Sequence, residues 1–466
     1  MTAHWLSRLL PSLMLAGCTA GTDYVRPLAA VAPAWRAASA AEPRIVGPWW
    51  QAFDDPMLQS VIAEALARNL DIETALAQVD RARAAASVAG AAMLPSGTID
   101  ANIARTRDSA EVGLASIADG APGVDVPRTS TVYGTTASAS WELDLFGGLR
   151  RRTEAARYDY EAALASGAVT RITVVAEVAD AYLQLRTLQL RFGIAEDIGR
   201  SAARLESLVR QRYESGESSL RELEQARTSA ASVRATLPSL KGQIEGQLNR
   251  LALLTGQNPE ADRRGLDKPG PVPLAELSGL GTPGDLLRNR PDVVAAERRL
   301  AAAHARIGVA TVEYYPRISL SALAGFQASS ASSFITGSAS VTQGVAGLRW
   351  RLFDFGRIRA EIADAKGSER GALAAYQQSV LRAAADVETA AAIYTAGRER
   401  MAIHEIECAS AAHARELLDQ AWKAGQIDLS AVIEGDRRLL QGLDALAVAR
   451  GETARAIVSV YRAIGA

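Results

Sequence analysis

Aromatic residues are scarce in this sequence, and neither sign of charge is in excess. Phe, Trp and Tyr make up 5% of the 466 residues, and 51 Lys and Arg balance 52 Asp and Glu to a formal net charge of −1 at pH 7. A chain that binds nucleic acid normally clusters an excess of basic residues on one face, so this balance argues against a nucleic-acid partner. Hydrophobic residues still make up 48%, which is enough for a sizeable core.

The sequence also lacks the motifs of common enzyme classes. It has no Gly-x-x-x-x-Gly-Lys phosphate loop and no Gly-x-Ser-x-Gly nucleophile elbow. His404 and His413 lie near Cys408 at helical spacings, but a structural zinc site usually needs four ligands and no fourth is evident. We therefore expect no catalytic residue, no cofactor and no metal, and the energy for any transport must come from a partner.

Only two cysteines are present, Cys18 and Cys408. The apolar stretch before Cys18 is too short to span a bilayer as a helix. Leu15-Ala16-Gly17-Cys18 resembles the lipobox of bacterial lipoproteins, in which a signal peptide, here residues 1–17, is removed before a cysteine that carries lipid. Thr19 stands where lipoproteins retained in the inner membrane usually have Asp, so this resemblance implies the outer membrane. The alternative is an ordinary signal peptide with an incidental cysteine.

One pattern, Trp-x-Leu-x-x-Phe-Gly-x-Leu/Ile-Arg, occurs twice, beginning at Trp141 and at Trp350, which are 209 residues apart. The same offset superposes Gly216 on Gly425. Upstream the offset is 221, as for Pro95 and Pro316, so the first copy carries 12 more residues between the proline and the tryptophan. The chain is therefore an internal duplication of two similar units that pack together.

Each copy predicts the same order of elements. An extended N-terminal arm, residues 18–57, precedes repeat 1 (58–255), a linker (256–284) and repeat 2 (285–466). Each repeat opens with a helix, which in repeat 1 should occupy most of 58–94. Apolar and polar residues then alternate with a period of two, which predicts strands near 98–107 and 131–145 in repeat 1 and near 316–328 and 340–353 in repeat 2.

Each repeat ends in a long helical hairpin, predicted over 149–255 and 357–464. The first helix of each runs without interruption for roughly 95 Å at 1.5 Å per residue, and its apolar residues recur at coiled-coil spacing. Gly216 and Gly425 interrupt the pattern and mark the turns of the hairpins. Gly147 and Gly356 mark the hinge between strand and long helix.

The strands have an apolar face and a polar face, a pattern that fits either a soluble sheet or a membrane barrel. Two features favour the barrel. The lipobox resemblance implies that Cys18 anchors the chain at a membrane, and the charged residues Glu142, Arg349 and Arg351 suit a water-filled lumen. Four strands cannot close a barrel, and open edges are forbidden in lipid, so several chains must share one barrel. Three chains would supply 12 strands.

Motifs across nearly the whole mature chain carry a family resemblance. Trp49-Trp50-x-x-Phe53-x-Asp55-Pro56-x-Leu58, with Asn69-x-Asp71-Ile72, resembles the opening signature of the outer-membrane factor family, the TolC-like, NodT-type efflux lipoproteins. Leu287-x-Asn289-Arg290-Pro291-Asp292 and the stretch ending at Tyr315-Pro316 are similar to that family's second signature. The resemblance implies mixed α and transmembrane β structure: a homotrimer with a shared 12-stranded β-barrel and a long α-helical barrel.

The resemblance also implies a function and partners. Such proteins are passive exit ducts of tripartite systems in the outer membrane, docked on a periplasmic adaptor and an inner-membrane transporter of RND, MFS or ABC type. Trp141 and Trp350 would lie at the membrane interface, where amphipathic rings prefer to sit. The alternative is a periplasmic helical scaffold lipoprotein without a pore, which predicts no strand pairs and no channel activity.

Family members close the periplasmic end of the duct with polar contacts just after the two hairpin turns. Counting from the turn glycines, Glu222 and Glu434 match acidic family positions. Ala431 and Ile427 stand where some members have an acidic and a basic residue, so Asp428 and Asp436 are the nearby substitutes. Our hypothesis is that Glu434 from three chains narrows the closed pore and favours cations. The alternative is that these residues lie on solvated helix faces, where isolated ion pairs contribute little.

Overall fold

The computed structural model describes residues 20–27, 35–36, 48–109, 128–261, 263, 265–277 and 283–466. Three short 3₁₀ helices and eight α-helices accompany four strands over these ranges. The helices are α1 (Pro56–Arg68), α2 (Leu70–Ala91), α3 (Gly148–Glu214), α4 (Leu220–Leu254), α5 (Pro283–Asn289), α6 (Pro291–Val312), α7 (Arg357–Lys423) and α8 (Leu429–Ile464). The strands are β1 (Ser96–Arg107), β2 (Thr129–Leu143), β3 (Arg317–Ala328) and β4 (Ser340–Arg349).

The helix predicted over most of 58–94 is two helices, α1 and α2, divided at Asn69. The backbone of Asn69 is extended, with φ −67° and ψ 127°, and its Oδ1 accepts hydrogen bonds from the amides of Asp71 and Ile72. Asn69 therefore ends one helix and caps the next. The apolar period of the sequence runs through this break, which is why periodicity alone missed it.

Three other predicted ranges differ from those of the structure. The arm predicted as extended over 18–57 contains a 3₁₀ helix at Trp49–Phe53, and the linker predicted to run to 284 gives way to α5 at Pro283. Pro291 then separates α5 from α6, because the residue before a proline is disfavoured in the α region. The strand predicted over 340–353 ends at Arg349, so Trp350 to Phe353 lie beyond it.

The chain forms two compact units, whose boundaries fall within α2, α3, α6 and α7. The first contains Asp80–Ala162 and Glu297–Ala374 with the described residues of Met1–Pro27. Its four strands form one antiparallel sheet in the order β1-β2-β3-β4. The pairing of β2 with β3 joins the two sequence repeats, and it aligns Trp141 with Leu320. The strand pairs predicted within each repeat do not by themselves predict that β2 pairs with β3.

The second unit is helical and holds the main apolar core. α3 and α7 are each 67 residues long, and their hairpin partners α4 and α8 have 35 and 36. α3 includes an 18-residue window apolar enough to cross a membrane by length and composition only. In this unit Val178, Tyr182 and Leu185 of α3 are fully buried against residues of α1, α4 and α8. The apolar stripe of α3 is thus a packing surface.

Candidate functional site

The sheet has one continuous apolar face. The register aligns Ile99 with Ala137 and Ala324, and Ile318 with both Leu143 and Leu348, so apolar residues of all four strands point to the same side. On the two outer strands these side chains remain exposed, Ile99 by 78% and Leu348 by 65%. In a soluble sheet such a face would be buried against a core, whereas a barrel turns it to lipid.

The opposite face carries polar and charged residues, and its charges are partly paired near the strand ends. Arg317 lies 4.0 Å from Glu142 and also contacts Glu313, and Arg351 lies 3.6 Å from Glu313. Arg349, the third charged residue predicted for a wet lumen, makes no hydrogen bond or ion pair with any described residue. This face is suited to water.

The outer strands leave the sheet open. β1 pairs only with β2, and β4 only with β3, among the strands described here. Each therefore presents a row of unpaired backbone amides and carbonyls along one edge. Such an edge is not tolerated in lipid unless another strand pairs with it.

Gly147 and Gly356 lie where the chain passes from strand to long helix, with φ values of 79° and 90°. These are left-handed conformations that glycine adopts without steric cost. A carboxylate caps the helix at each junction: Asp144 accepts from the amide of Leu149 at 3.0 Å, and Asp354 from that of Ile358 at 2.8 Å. The amides of Ile358 and Gly356 hold the pKa of Asp354 below its usual value. Leu149 and Ile358 are equivalent in the duplication, although the two aspartates stand at different places in the motif.

Trp141 and Trp350 have the same role in the two repeats. The Nε1 of Trp141 donates to the carbonyl of Met93 at 2.9 Å, and that of Trp350 to Tyr314 at 3.0 Å. Trp141 lies near the end of β2 and Trp350 directly after β4, so each bond ties the end of the repeat's second strand to the segment that follows the helix before the first strand. The membrane-interface position of these rings stays a prediction.

The hairpin turns are closed by the same pattern of backbone bonds. The amide of Glu217 donates to Arg212 O at 2.7 Å, and that of Gln426 to Ala421 O at 2.9 Å. Gly216 and Gly425 have φ values of 82° and 73°, so both turns are Schellman motifs with glycine in the left-handed position.

Glu222 caps the helix that follows the first turn. Its Oε2 accepts from the amide of Ser219 at 2.8 Å and from the hydroxyls of Ser218 and Ser219, while the amide of Glu222 donates to Ser219 Oγ. The backbone bond from Ser219, with the serine hydroxyls, lowers the pKa of Glu222. This is a capping box, and its signal, Ser219-x-x-Glu222, is visible in the sequence.

The other gate candidates lie at the start of α8. Asp428 occupies the N-cap position without a side-chain capping bond. Glu434 accepts from Arg437 and Arg438 on its own helix at 2.9 Å and 3.2 Å, contacts that lower its pKa. Asp436 accepts from Arg415 of α7 at 2.7 Å and so ties the two helices of the hairpin together. Glu434 and Asp436 line one cavity of about 600 Å³ among α3, α4 and α8.

The ends of the two hairpins share a small core. Val209 of α3, Leu223 of α4, and Trp422 and Leu429 from either side of the second turn are buried together. The guanidinium of Arg212 lies 4.8 Å from the centre of the Trp422 ring, at a cation–π distance. The structure thus brings the regions of Glu222 and Glu434 together, while each carboxylate is bonded within its own helix end.

Sequence reasoning missed a pair of clasps, hydrogen bonds that tie the residue before α2 and the residue before α6 to the end of the helical hairpin in the same repeat. Asn69 Nδ2 donates to Leu254 O at 2.9 Å, and a guanidinium nitrogen of Arg290 donates to Ala463 O at 2.7 Å. Asn69 lies directly before α2, and Arg290 lies directly before α6. Their acceptors lie at the ends of α4 and α8. The offsets of 221 and 209 relate the two pairs, so the duplication itself is the signal that would have found them.

The predicted lipid site and the histidines near Cys408 need a brief account. Cys18, the predicted lipid attachment, lies outside the described residues. Among those that are described, no group of three or more His, Cys, Asp and Glu is arranged to hold a metal ion. His404 Nδ1 instead lies 2.7 Å from Glu407 Oε2, and Cys408 is buried, which raises its pKa.

Comparison with known families and relatives agrees with this architecture. A family profile described as "Outer membrane efflux protein" matches residues 61–257 and 282–466. The pyoverdine export outer membrane protein OpmQ of Pseudomonas putida is 32% identical over 98% of this chain and 96% of its own length. The toluene efflux pump outer membrane protein TtgF of Pseudomonas putida is 29% identical, over 100% and 97%.

Solved structures of outer-membrane channels have the same fold. The outer-membrane channel OprN superposes with a TM-score of 0.86 at 33% identity, covering 96% of this chain and 99% of its own. The Neisseria gonorrhoeae MtrE channel, solved in its open state, superposes with a TM-score of 0.84 at 24% identity, covering 96% and 98%. At that lower identity the likeness concerns the fold alone.

Proposed function

The chain belongs to the outer membrane efflux protein family and is an outer-membrane efflux channel, and from that premise we propose that three copies assemble into one continuous duct. The four strands of each copy form one third of a 12-stranded barrel in the outer membrane. The hairpins α3–α4 and α7–α8 form a helical barrel that extends into the periplasm. At 1.5 Å per residue, α3 and α7 are each about 100 Å long.

The open sheet is the observation that carries this proposal. Its apolar face is exposed and its outer strands each lack a neighbour, two features that are unstable in water and forbidden in lipid unless the sheet closes. Four strands are too few to close, because the smallest membrane barrels have about eight. Three copies pair every edge and turn the apolar face of each sheet toward lipid.

The duct is passive and works with partners. A periplasmic adaptor and an inner-membrane transporter of RND, MFS or ABC type supply the energy and select the cargo. Relatives near 30% identity carry names that specify pyoverdine in one case and toluene in another, so identity at this level does not define a substrate. A lipid on Cys18 anchors each copy to the outer membrane, and Glu222, Asp428, Glu434 and Asp436 line or brace the periplasmic end.

The scaffold alternative conflicts with the sheet. It predicts no strand pairs, whereas three strand pairs in continuous register are present. Extraction of a Cys18→Ala variant distinguishes the two functions further. A barrel keeps this variant in the detergent-soluble fraction, while a scaffold held only by lipid becomes extractable without detergent.

Two measurements on the purified full chain test the proposal. Light scattering in detergent should give the protein mass of three chains, and insertion into a planar bilayer should give discrete conductance steps. A single-chain mass, or protein that inserts without any conductance, would overturn it.

A further inference from the structure

The duplication extends to the register of the sheet. In the first hairpin Ser96 lies opposite Ser140, and in the second Arg317 lies opposite Arg349. Moving Ser96 by the upstream offset of 221 and Ser140 by the downstream offset of 209 gives this second pair. β1 and β3 also have the same length, 12 residues. The two hairpins therefore correspond strand by strand and have the same pairing register.

This correspondence predicts that the pairing of β2 with β3 has an equivalent between two copies of the chain. By the same offsets β2 corresponds to β4 and β3 corresponds to β1, yet β1 and β4 are the two outer strands. Within the chain Trp141 lies opposite Leu320. Adding 209 to Trp141 and subtracting 221 from Leu320 gives the equivalent pair, Trp350 opposite Ile99. Because β1 and β4 are the outer strands, only two copies of the chain can form this pair.

Resting on the proposed trimer, we propose that β4 of one protomer pairs with β1 of the next in the register that places Arg349 opposite the partner subunit's Asp100. This register keeps the faces of the sheet matched. It places Leu348 opposite the partner subunit's Ala101 and Trp350 opposite the partner subunit's Ile99, all on the apolar face. A slip by one residue would turn these apolar side chains against polar ones.

The polar face supplies charge complementarity for this register. Arg349 has no hydrogen bond or ion pair to any residue that the structure describes, and Asp100 accepts only from Thr98 Oγ1, at 3.2 Å, within that part of the chain. Opposite charges directly across antiparallel strands attract. A slip by two residues keeps the faces matched but moves Arg349 opposite Thr98 or Asn102 of the partner, neither of which is charged.

A ring contact beside the sheet repeats the same relation. Phe146 of the first repeat stacks on Tyr315 of the second, with ring centres 4.7 Å apart. The offsets convert this pair into Phe355 of one protomer and Leu94 of the partner subunit. In the single chain Phe355 is fully exposed and Leu94 is 66% exposed, so both sides of this contact are free.

Disulfide trapping in the assembled protein tests the register. The variant Arg349→Cys with Asp100→Cys is compared with Arg349→Cys combined with Thr98→Cys or with Asn102→Cys. Directly opposite positions lie within disulfide reach, whereas diagonal neighbours are about 7–8 Å apart. The single variant Arg349→Cys controls for pairing with Cys18, and all variants carry Cys408→Ala.

An in-chain control shows that the sheet has formed and that oxidation works. Ser140 and Ser321 are the equivalent pair within the chain, so Ser140→Cys with Ser321→Cys should form a disulfide without raising the mass on a non-reducing gel. We expect covalent dimers and trimers only for the pair at 349 and 100. Bridges at 98 or 102 instead, or none while the control bridges and the mass is that of a trimer, overturn the register but leave the duct intact. A single-chain mass by light scattering overturns both.

Discussion

The indole Nε1 of Trp141 donates to the carbonyl of Met93 at 2.9 Å, and Trp350 makes the equivalent bond to Tyr314. Met93 and Tyr314 lie just beyond α2 and α6, the helices that lead into the first strand of each repeat. Each tryptophan therefore fixes the end of one hairpin strand to the base of the other. The aromatic residue that identified the duplication also fastens each β-hairpin to the helical part of its repeat.

Replacing either tryptophan with phenylalanine removes this bond and keeps an aromatic ring. We expect Trp141→Phe and Trp350→Phe each to destabilise the assembly by about 1 kcal/mol, the usual net contribution of one such hydrogen bond. Thermal unfolding in detergent measures the effect. Phe353→Leu is the matched control, because Phe353 is 85% exposed. Equal stability of Trp141→Phe and the parent protein would show that the ring serves only as an interface aromatic.

Breaking either clasp, Asn69–Leu254 or Arg290–Ala463, should lower the stability of the protein. Asn69→Ala leaves the Leu254 carbonyl without its donor and removes the cap of α2, so we expect a loss of about 2 kcal/mol. Arg290→Lys keeps the charge but loses the fork that also holds Asp292 and Asp386. Chemical denaturation should show both variants to be destabilised. If Asn69→Ala is as stable as the parent protein, water replaces the side-chain donor to the Leu254 carbonyl.

Glu222 permits a test that separates capping from gating. A capping box accepts glutamine at the third helical position, so Glu222→Gln should retain most of the helix stability and lose only the contribution of the charge, while Glu222→Ala should lose about 1 kcal/mol. If the charge of Glu222 acts in the gate, Glu222→Gln changes single-channel ion selectivity as well. If both variants lose stability while the conductance is unchanged, the cap depends on the charge of Glu222. The same result would exclude a role for Glu222 in the gate.

The same residue gives a pH dependence with a defined sign. Its serine contacts lower the pKa of Glu222 in the folded chain, so its charge adds stability above the unfolded pKa of about 4.3 and this stability is lost as the pH falls through the folded value. The stability difference between the parent protein and Glu222→Ala should therefore be full at pH 7 and shrink below about pH 4. A difference that is independent of pH from 3 to 7 would contradict this.

Much of the fold follows from periodicity, and the parts that do not follow have physical reasons. Alternation of apolar and polar residues marks the four strands because one face meets lipid or a core and the other meets water. The break at Asn69 is invisible to periodicity because α1 and α2 continue one apolar pattern. The β2–β3 pairing depends on strands 174 or more residues apart in sequence, so no local signal encodes it. Glu222 matched the family gate by position, yet the serines beside it also define a cap.

Glu434 remains the candidate for a charged constriction. Its carboxylate is shared by Arg437 and Arg438, so removing it leaves two arginines without their acidic partner. We expect Glu434→Ala to lower cation preference and to change single-channel conductance. Glu416→Ala, an equal charge change on exposed α7, is the control. Unchanged conductance and selectivity in Glu434→Ala would remove the hypothesis of an acidic ring.

The contrast between Phe146 and Phe355 gives a test of assembly. Phe146 packs on Tyr315 within the chain. Phe355 is fully exposed in the single chain and would gain its contact only from the partner subunit's Leu94. Loss of a buried phenylalanine side chain costs about 3 kcal/mol or more, so Phe355→Ala should lower the temperature at which trimers separate on a detergent gel. Phe353→Ala removes another highly exposed ring, which lies outside the proposed contact, and should leave that temperature unchanged. Equal behaviour of the two variants would show that Phe355 faces solvent or lipid in the trimer as it does in the single chain.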